Sequence, residues 1–403
     1  MDSRFKYLDF FNAGAIYSDK RIEPYISTTD RKKINIVDSI FSFESLRANK
    51  AIYVFSSRRS SNLEACDEYI VVPGFKNPRW IIKNDKDVIN NHGKIIKPTS
   101  FQSTAIWWLA KLVGRLNFIS VIFPDKIVSL SRSLERSMSI DNSNSIGIVY
   151  TGSAGCYQKF TLQILNEKKQ IVSYLKVGNQ SQSRDKVKRE FEALQLLKKT
   201  EFTKVCIPKI IRFNLENSCA ALETQNIVSN GDRKVDNLLH EDYLALLEIY
   251  NAGIETCTTV SQYISSENSY KDTVLGLLSE GFKVRIGDSH GDYTPWNRFV
   301  SDNKVKVIDW EEFSQRVMFY DLVYFICVRG ILINRSSAKK IKNRCEKAII
   351  KFSLMMGRYI EINLVKSYLL LCLTELHDNS LDDAFISKLK LVIDKVILDI
   401  ERG

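Results

Sequence analysis

The stretch HGDYTPWNRFVSDNKVKVIDWEEF, His290 to Phe313, decides how the rest of the chain is understood. It sets a carboxylate at Asp292, a carboxamide at Asn297 and a second carboxylate at Asp309, separated by turn-forming residues and the short apolar run KVKVID. Three oxygen donors so spaced suit a hard cation beside a phosphate. Mg2+ prefers oxygen ligands and keeps several waters, so two protein ligands and a bound polyphosphate complete its shell. Phosphoryl transfer asks for little covalent chemistry: a cation to neutralise phosphate charge, and a group that orients the attacking oxygen. Asp292 is the candidate to orient or accept a hydroxyl proton. Asn297 offers an oxygen without adding negative charge, and Asp309 ends a strand that projects its carboxylate into the same cleft.

Working outward, three β-rich runs, SIGIVYTG, CYQKFTLQILN and IVSYLKVG, follow a polar stretch at SIDNSNS that marks a domain boundary near residue 141. RDKVKREFEALQLLKK then repeats apolar residues at helical spacing, Val187, Phe191, Leu194 and Leu197. SCAALETQNI reads as a further strand, and largely helical sequence comes after it. Between the first two strands TGSAGC carries Gly152, Ser153 and Gly155, where a backbone without side chains can approach a phosphate. Such a loop is equally an ordinary hairpin turn. Lys176 stands in an otherwise apolar strand, and Glu190 on the next helix is placed to meet its ammonium, with Glu192 as the competing partner.

The pattern H-G-D-x-x-P-x-N followed by I-D-W-E resembles the signature of the aminoglycoside phosphotransferase and choline kinase group, across residues of about 145 to 403. The resemblance implies an α+β, bilobal protein-kinase-like fold with a β-rich N-lobe at 141–226 and a helical C-lobe at 227–403. A small, basic α/β accessory module at 1–140 precedes it and lies outside the resemblance. It further implies ATP and Mg2+ as cofactors, with Asp292 catalytic and Asn297 and Asp309 on the metal. Lys176, paired with Glu190, would reach the α- and β-phosphates, and the backbone from Gly152 to Gly155 would cover them. The strand end from Glu223 through Gln225 to Asn226 would lend backbone groups to adenine. His290 would brace the catalytic loop, and Asp321 in FYDLVYF resembles a structural brace. Trp296 and Trp310 are read as packing rather than as stacking platforms.

Composition narrows the partners. The 403 residues are 44% hydrophobic and 26% charged, those of a globular protein with two or three domains. The 8 cysteines show no C-x-x-C pair and no metal-like spacing with the 4 histidines, as expected for thiols of a reducing cytosol. The net charge of +11 is uneven: residues 1–140 hold 22 Lys/Arg against 14 Asp/Glu, and the remainder 36 against 33. That surplus suits anionic partners, but no helix-turn-helix, zinc-finger or RNA-recognition signature points to nucleic acid. The N-terminus lacks a signal-peptide pattern, and the apolar run within 103–123 is interrupted by Lys111, Arg115 and Asn117. The expectation is a cytoplasmic protein, with a second reading in which 103–123 lies on the inner face of a membrane.

Only 11 residues separate Asp309 from Asp321, too few for the long segment that displays a peptide to a protein kinase, so a small hydroxylated acceptor is expected. The run KKIKNRCEKAIIKF places basic residues where they would attract an anionic acceptor or form a solvated helix face. A catalytically silent kinase-like binding protein, whose basic N-terminal module recruits a partner or membrane, is the alternative.

Overall fold

The computed structural model describes residues 143–402, apart from 152–156, 179, 216–218, 230, 302 and 381, together with six short strands and residues 85, 87 and 88 from the first 142. The chain is α+β. It divides into two compact units, 1–191 with 209–226, and 192–208 with 227–403.

The first unit is built on one eleven-stranded sheet. Its strands are β1 (Glu23–Ile26), β2 (Lys33–Val37), β3 (Ile52–Phe55), β4 (Cys66–Val72), β5 (Trp80–Lys83), β6 (Ile127–Ser131), β7 (Ser145–Tyr150), β8 (Phe160–Leu165), β9 (Ile171–Gly178), β11 (Ile210–Leu215) and β12 (Ala220–Gln225). The order is β1-β2-β3-β6-β4-β5-β7-β8-β9-β12-β11. Ile146, Ile148, Val149, Phe160, Leu162 and Ile164 are buried, so both faces of these strands are covered. The boundary expected near residue 141 does not interrupt the sheet. β5 pairs with β7, Trp80 opposite Tyr150, and the Tyr69 hydroxyl donates to Ile146 O at 2.7 Å. Open backbone at the edge of β7 is thus satisfied by strands that precede it. Helix α1 (Ser181–Leu197) buries Val187, Leu194 and Leu197, while Phe191 stacks on Phe213 at 4.0 Å.

The second unit contains more β structure than its sequence suggested. β10 (Val205–Cys206), β16 (Lys304–Val307) and β15 (Arg298–Ser301) form one three-stranded sheet, and β13 (Thr256–Thr259), β14 (Lys283–Ser289) and β17 (Ser314–Val317) form another. Around them lie α2 (His240–Tyr250), α3 (Val260–Tyr263), α4 (Lys271–Leu278), α5 (Tyr320–Val328), a π-helical turn at Arg329–Ile333, α6 (Ala338–Met355), α7 (Ile362–Asn379) and α8 (Asp383–Glu401). The last two pack on each other, and Leu369, Leu373, Leu389 and Ile393 on them are buried. The basic run on α6 is not one patch: Lys342 is buried and bound to Glu346 and Asp399, whereas Lys339, Lys340 and Lys347 are exposed. Among the described residues no helix is long and apolar enough to cross a membrane. The run at 103–123 lies outside them.

Candidate active site

The hairpin of β15 and β16 brings two of the three oxygen donors together. Its two-residue turn includes Asn303 at φ 62°, the left-handed conformation that tight hairpins demand. Arg298 faces Val307 in register, and Ile308 N donates to Asn297 O at 2.9 Å. Asn297 and Asp309 therefore leave the same end of one two-stranded ribbon. Asp309 adopts φ 70°, a backbone state that an aspartate holds only where its surroundings impose it.

Asp292 reaches the site from β14 through a braced loop. The Asp321 carboxylate, in the first turn of α5, accepts His290 N at 2.7 Å and Gly291 N at 2.9 Å. Gly291 takes φ 81°, and a Cβ there would strike the Glu312 carbonyl, so only glycine fits. His290 Nδ1 accepts Asp292 N at 3.2 Å, which leaves Nε2 to donate to Ile308 O at 3.1 Å. This imidazole links the loop to the strand that ends in Asp309. Trp310 is fully buried against the His290 ring, centroids 4.6 Å apart, and donates to Val307 O, so it packs and has no face for a substrate. Trp296 is half-buried.

Both oxygens of Asp292 are held. Asn297 Nδ2 donates to Oδ2 at 2.8 Å and the Tyr324 hydroxyl to Oδ1 at 2.9 Å. Burial, then repulsion from Asp309, pushes the Asp292 carboxyl up to about 7 despite these donors, and Glu312 adds to the repulsion. A divalent cation would remove that repulsion. With its nitrogen turned to Asp292, Asn297 keeps its carboxamide oxygen as a free-standing hard donor. Asn297 and Asp309 thus fit a magnesium-type ion by chemistry and by charge.

The loop rests on a buried cluster that sequence reasoning missed. Arg298 and Asp242 are both fully buried, with Nη1 3.0 Å from Oδ1, and Tyr293 donates to the same Asp242 carboxylate at 2.7 Å. Arg298 Nη2 also donates to Val235 O at 2.8 Å and Asn237 O at 2.6 Å. Burial raises the Asp242 pKa against the lowering influence of Arg298. Tyr324 was missed as well, although its position three residues after Asp321 puts it beside that aspartate on α5.

In the first unit Lys176 Nζ meets Glu190 at 2.6 and 2.7 Å, and Glu190 is buried. Glu192, the competing partner, is exposed. The Glu223 side chain is directed elsewhere. In register Glu223 faces Leu175 and Leu222 faces Lys176, so Glu223 lies on the opposite sheet face from Lys176. There it binds Arg212, directly across the ladder, and Ser173. Gln225 N donates to Lys209 O at 2.8 Å and Asn226 N to Val172 O at 2.9 Å. Those two N–H groups are engaged by backbone carbonyls of the same unit. Gly152, Ser153 and Gly155 lie outside the described residues.

No protein-family model and no curated protein matches this chain. The chain is similar to solved structures of small-molecule phosphotransferases. One is an aminoglycoside phosphotransferase of Streptomyces rimosus, 12% identical, covering 58% of this chain and 93% of that one, with a TM-score of 0.36. A choline/ethanolamine kinase family protein of Mesorhizobium loti is 12% identical over 63% of this chain and 92% of its own, TM-score 0.36. The GDP complex of aminoglycoside 2'-phosphotransferase-IIIa is 15% identical over 70% and 97%, TM-score 0.40.

Proposed function

We propose that this protein transfers the γ-phosphoryl group of ATP to a hydroxyl of a small molecule, with Mg2+ as cofactor. The observation that supports it most directly is the Asp292 carboxylate, oriented by Asn297 and set against Asp309 closely enough that the two charges repel. The acceptor oxygen attacks the γ-phosphorus, the bond to the β–γ bridging oxygen breaks, ADP leaves, and the hydroxyl proton passes to Asp292. Mg2+ on Asn297 and Asp309 would neutralise phosphate charge. Lys176, fixed by Glu190, has the point charge suited to nucleotide phosphates. The short Asp309 to Asp321 interval favours a small acceptor over a peptide.

The test is ADP formation from Mg·ATP over a panel of glucose, glucosamine, choline, ethanolamine and streptomycin. Asp292→Ala is expected to lower transfer at least about 1,000-fold while nucleotide affinity and melting temperature stay close to wild type, since the loop's braces are Asp321 and His290. Full activity in that variant would end the assignment.

A further inference from the structure

We propose that Tyr324 is a positioning residue for Asp292, its hydroxyl fixing the plane of the carboxylate; the inference rests on the phosphotransfer reading above. The terminal torsion of an aspartate is broad, so one hydrogen bond leaves the carboxylate free to swing. Asn297 at 2.8 Å on one oxygen and Tyr324 at 2.9 Å on the other remove that freedom. An ionised carboxylate has about four lone-pair directions, so each oxygen keeps room for an acceptor hydroxyl.

Tyr324 is itself anchored by a continuous chain of contacts. Its ring stacks on Tyr320, centroids 6.0 Å apart and planes within 9°. The Arg316 guanidinium sits 4.5 Å from the Tyr320 ring centroid, a cation held against the π-face. Arg316 Nη1 pairs with Glu375 of α7 at 2.8 Å, and Glu375 also accepts the Tyr263 hydroxyl. That hydroxyl in turn takes Val317 N at 2.9 Å. The orientation of Asp292 is therefore tied to β17, α3 and α7, elements remote from it in sequence. A loose tyrosine would not hold a carboxylate plane; one stacked and backed by a partly buried ion pair does.

Tyr324→Phe keeps the ring, its volume and its stacking and removes only the hydroxyl, so it separates positioning from packing. Two measurements on the full-length protein test it. In carbon-13 spectra with carboxyl-labelled aspartate, the Asp292 resonance, identified by its loss in Asp292→Asn, is expected to move in Tyr324→Phe; an unmoved resonance overturns the inference. In ADP formation over the same acceptor panel, kcat is expected to fall roughly 10- to 100-fold with KM for Mg·ATP unchanged, the size of loss that follows when a reacting group is displaced by about 1 Å. An unchanged kcat, or a loss carried by KM alone, overturns the inference while leaving the phosphotransfer reading in place. A wild-type protein that forms no ADP with any acceptor overturns that reading, and this inference with it.

Discussion

Asp309 carries two demands at once in the proposed reaction: its oxygen would hold the cation, and its backbone is held at φ 70°, which favours glycine. Asp309→Gly separates the two. The variant is expected to melt at or slightly above the wild-type temperature, because backbone strain of about 1 kcal/mol is relieved. The increment of melting temperature that Mg2+ adds to nucleotide should vanish. A persisting Mg2+ increment in calorimetry would remove Asp309 from the metal. His290 is constrained through its side chain: both ring nitrogens bond to backbone, so it braces the loop. Asp292, Asn297 and Asp309 were legible as candidate oxygen donors from their types and spacing, and Asn297 does meet Asp292. That Tyr324 closes the second oxygen of Asp292 was not legible, because its hydroxyl arrives from a separate helix.

At the scale of elements, the site depends on how strands are tied to helices. Glu248 on α2 accepts the backbone N–H groups of Thr203, Lys204 and Val205, at 2.7 to 3.1 Å. It thereby fixes β10, which pairs with β16, the strand that leads to Asp309. Burial pushes the Glu248 pKa up, but the hydrogen bonds from Thr203, Lys204 and Val205 outweigh it, and the carboxyl lies below the usual 4.5. The folded-state pKa is thus depressed, so the contribution to stability is present above the unfolded value and is lost as pH falls through the folded one. Wild type is expected to melt higher than Glu248→Gln at pH 7, and the difference should shrink between about pH 5 and about pH 3. Thermal melts across that range give the answer, and a pH-independent difference would contradict it. The Arg298–Asp242 pair performs a similar service between β15 and α2, dry on both sides.

For the whole molecule, the question is whether the machinery binds nucleotide at all, which separates an enzyme from a silent kinase-like binder. A ligand that binds only the native state stabilises it by mass action, about 2.7 kcal/mol when its concentration is 100 times Kd. Millimolar Mg·ATP is therefore expected to raise the melting temperature by a few degrees. The wild-type protein and Asp292→Ala should shift alike. Absence of any shift would favour the silent reading. The charge distribution belongs to this scale too: most of the surplus of cations lies in the first 140 residues, yet strands from that segment continue the sheet of the first unit. The N-terminal segment is therefore part of that unit's construction as well as the source of its charge.

The sequence by itself determined the run of strands and the helix from residue 145 to Gln225, the strand that leads to Asp309, and which residues are candidate oxygen donors. Those depend on local period, turn chemistry and residue type, all of which act over a few residues. The Lys176–Glu190 pair was expected from helical spacing and is formed, whereas only the tertiary structure decided that Glu223 turns to the far face of its sheet with Arg212, and that Asp242 and Arg298 lie buried beneath the loop. It also decided that β5 joins β7 across the expected boundary. Each of these rests on which face or edge meets which across long stretches of chain, and burial there selects among local patterns that are otherwise equivalent.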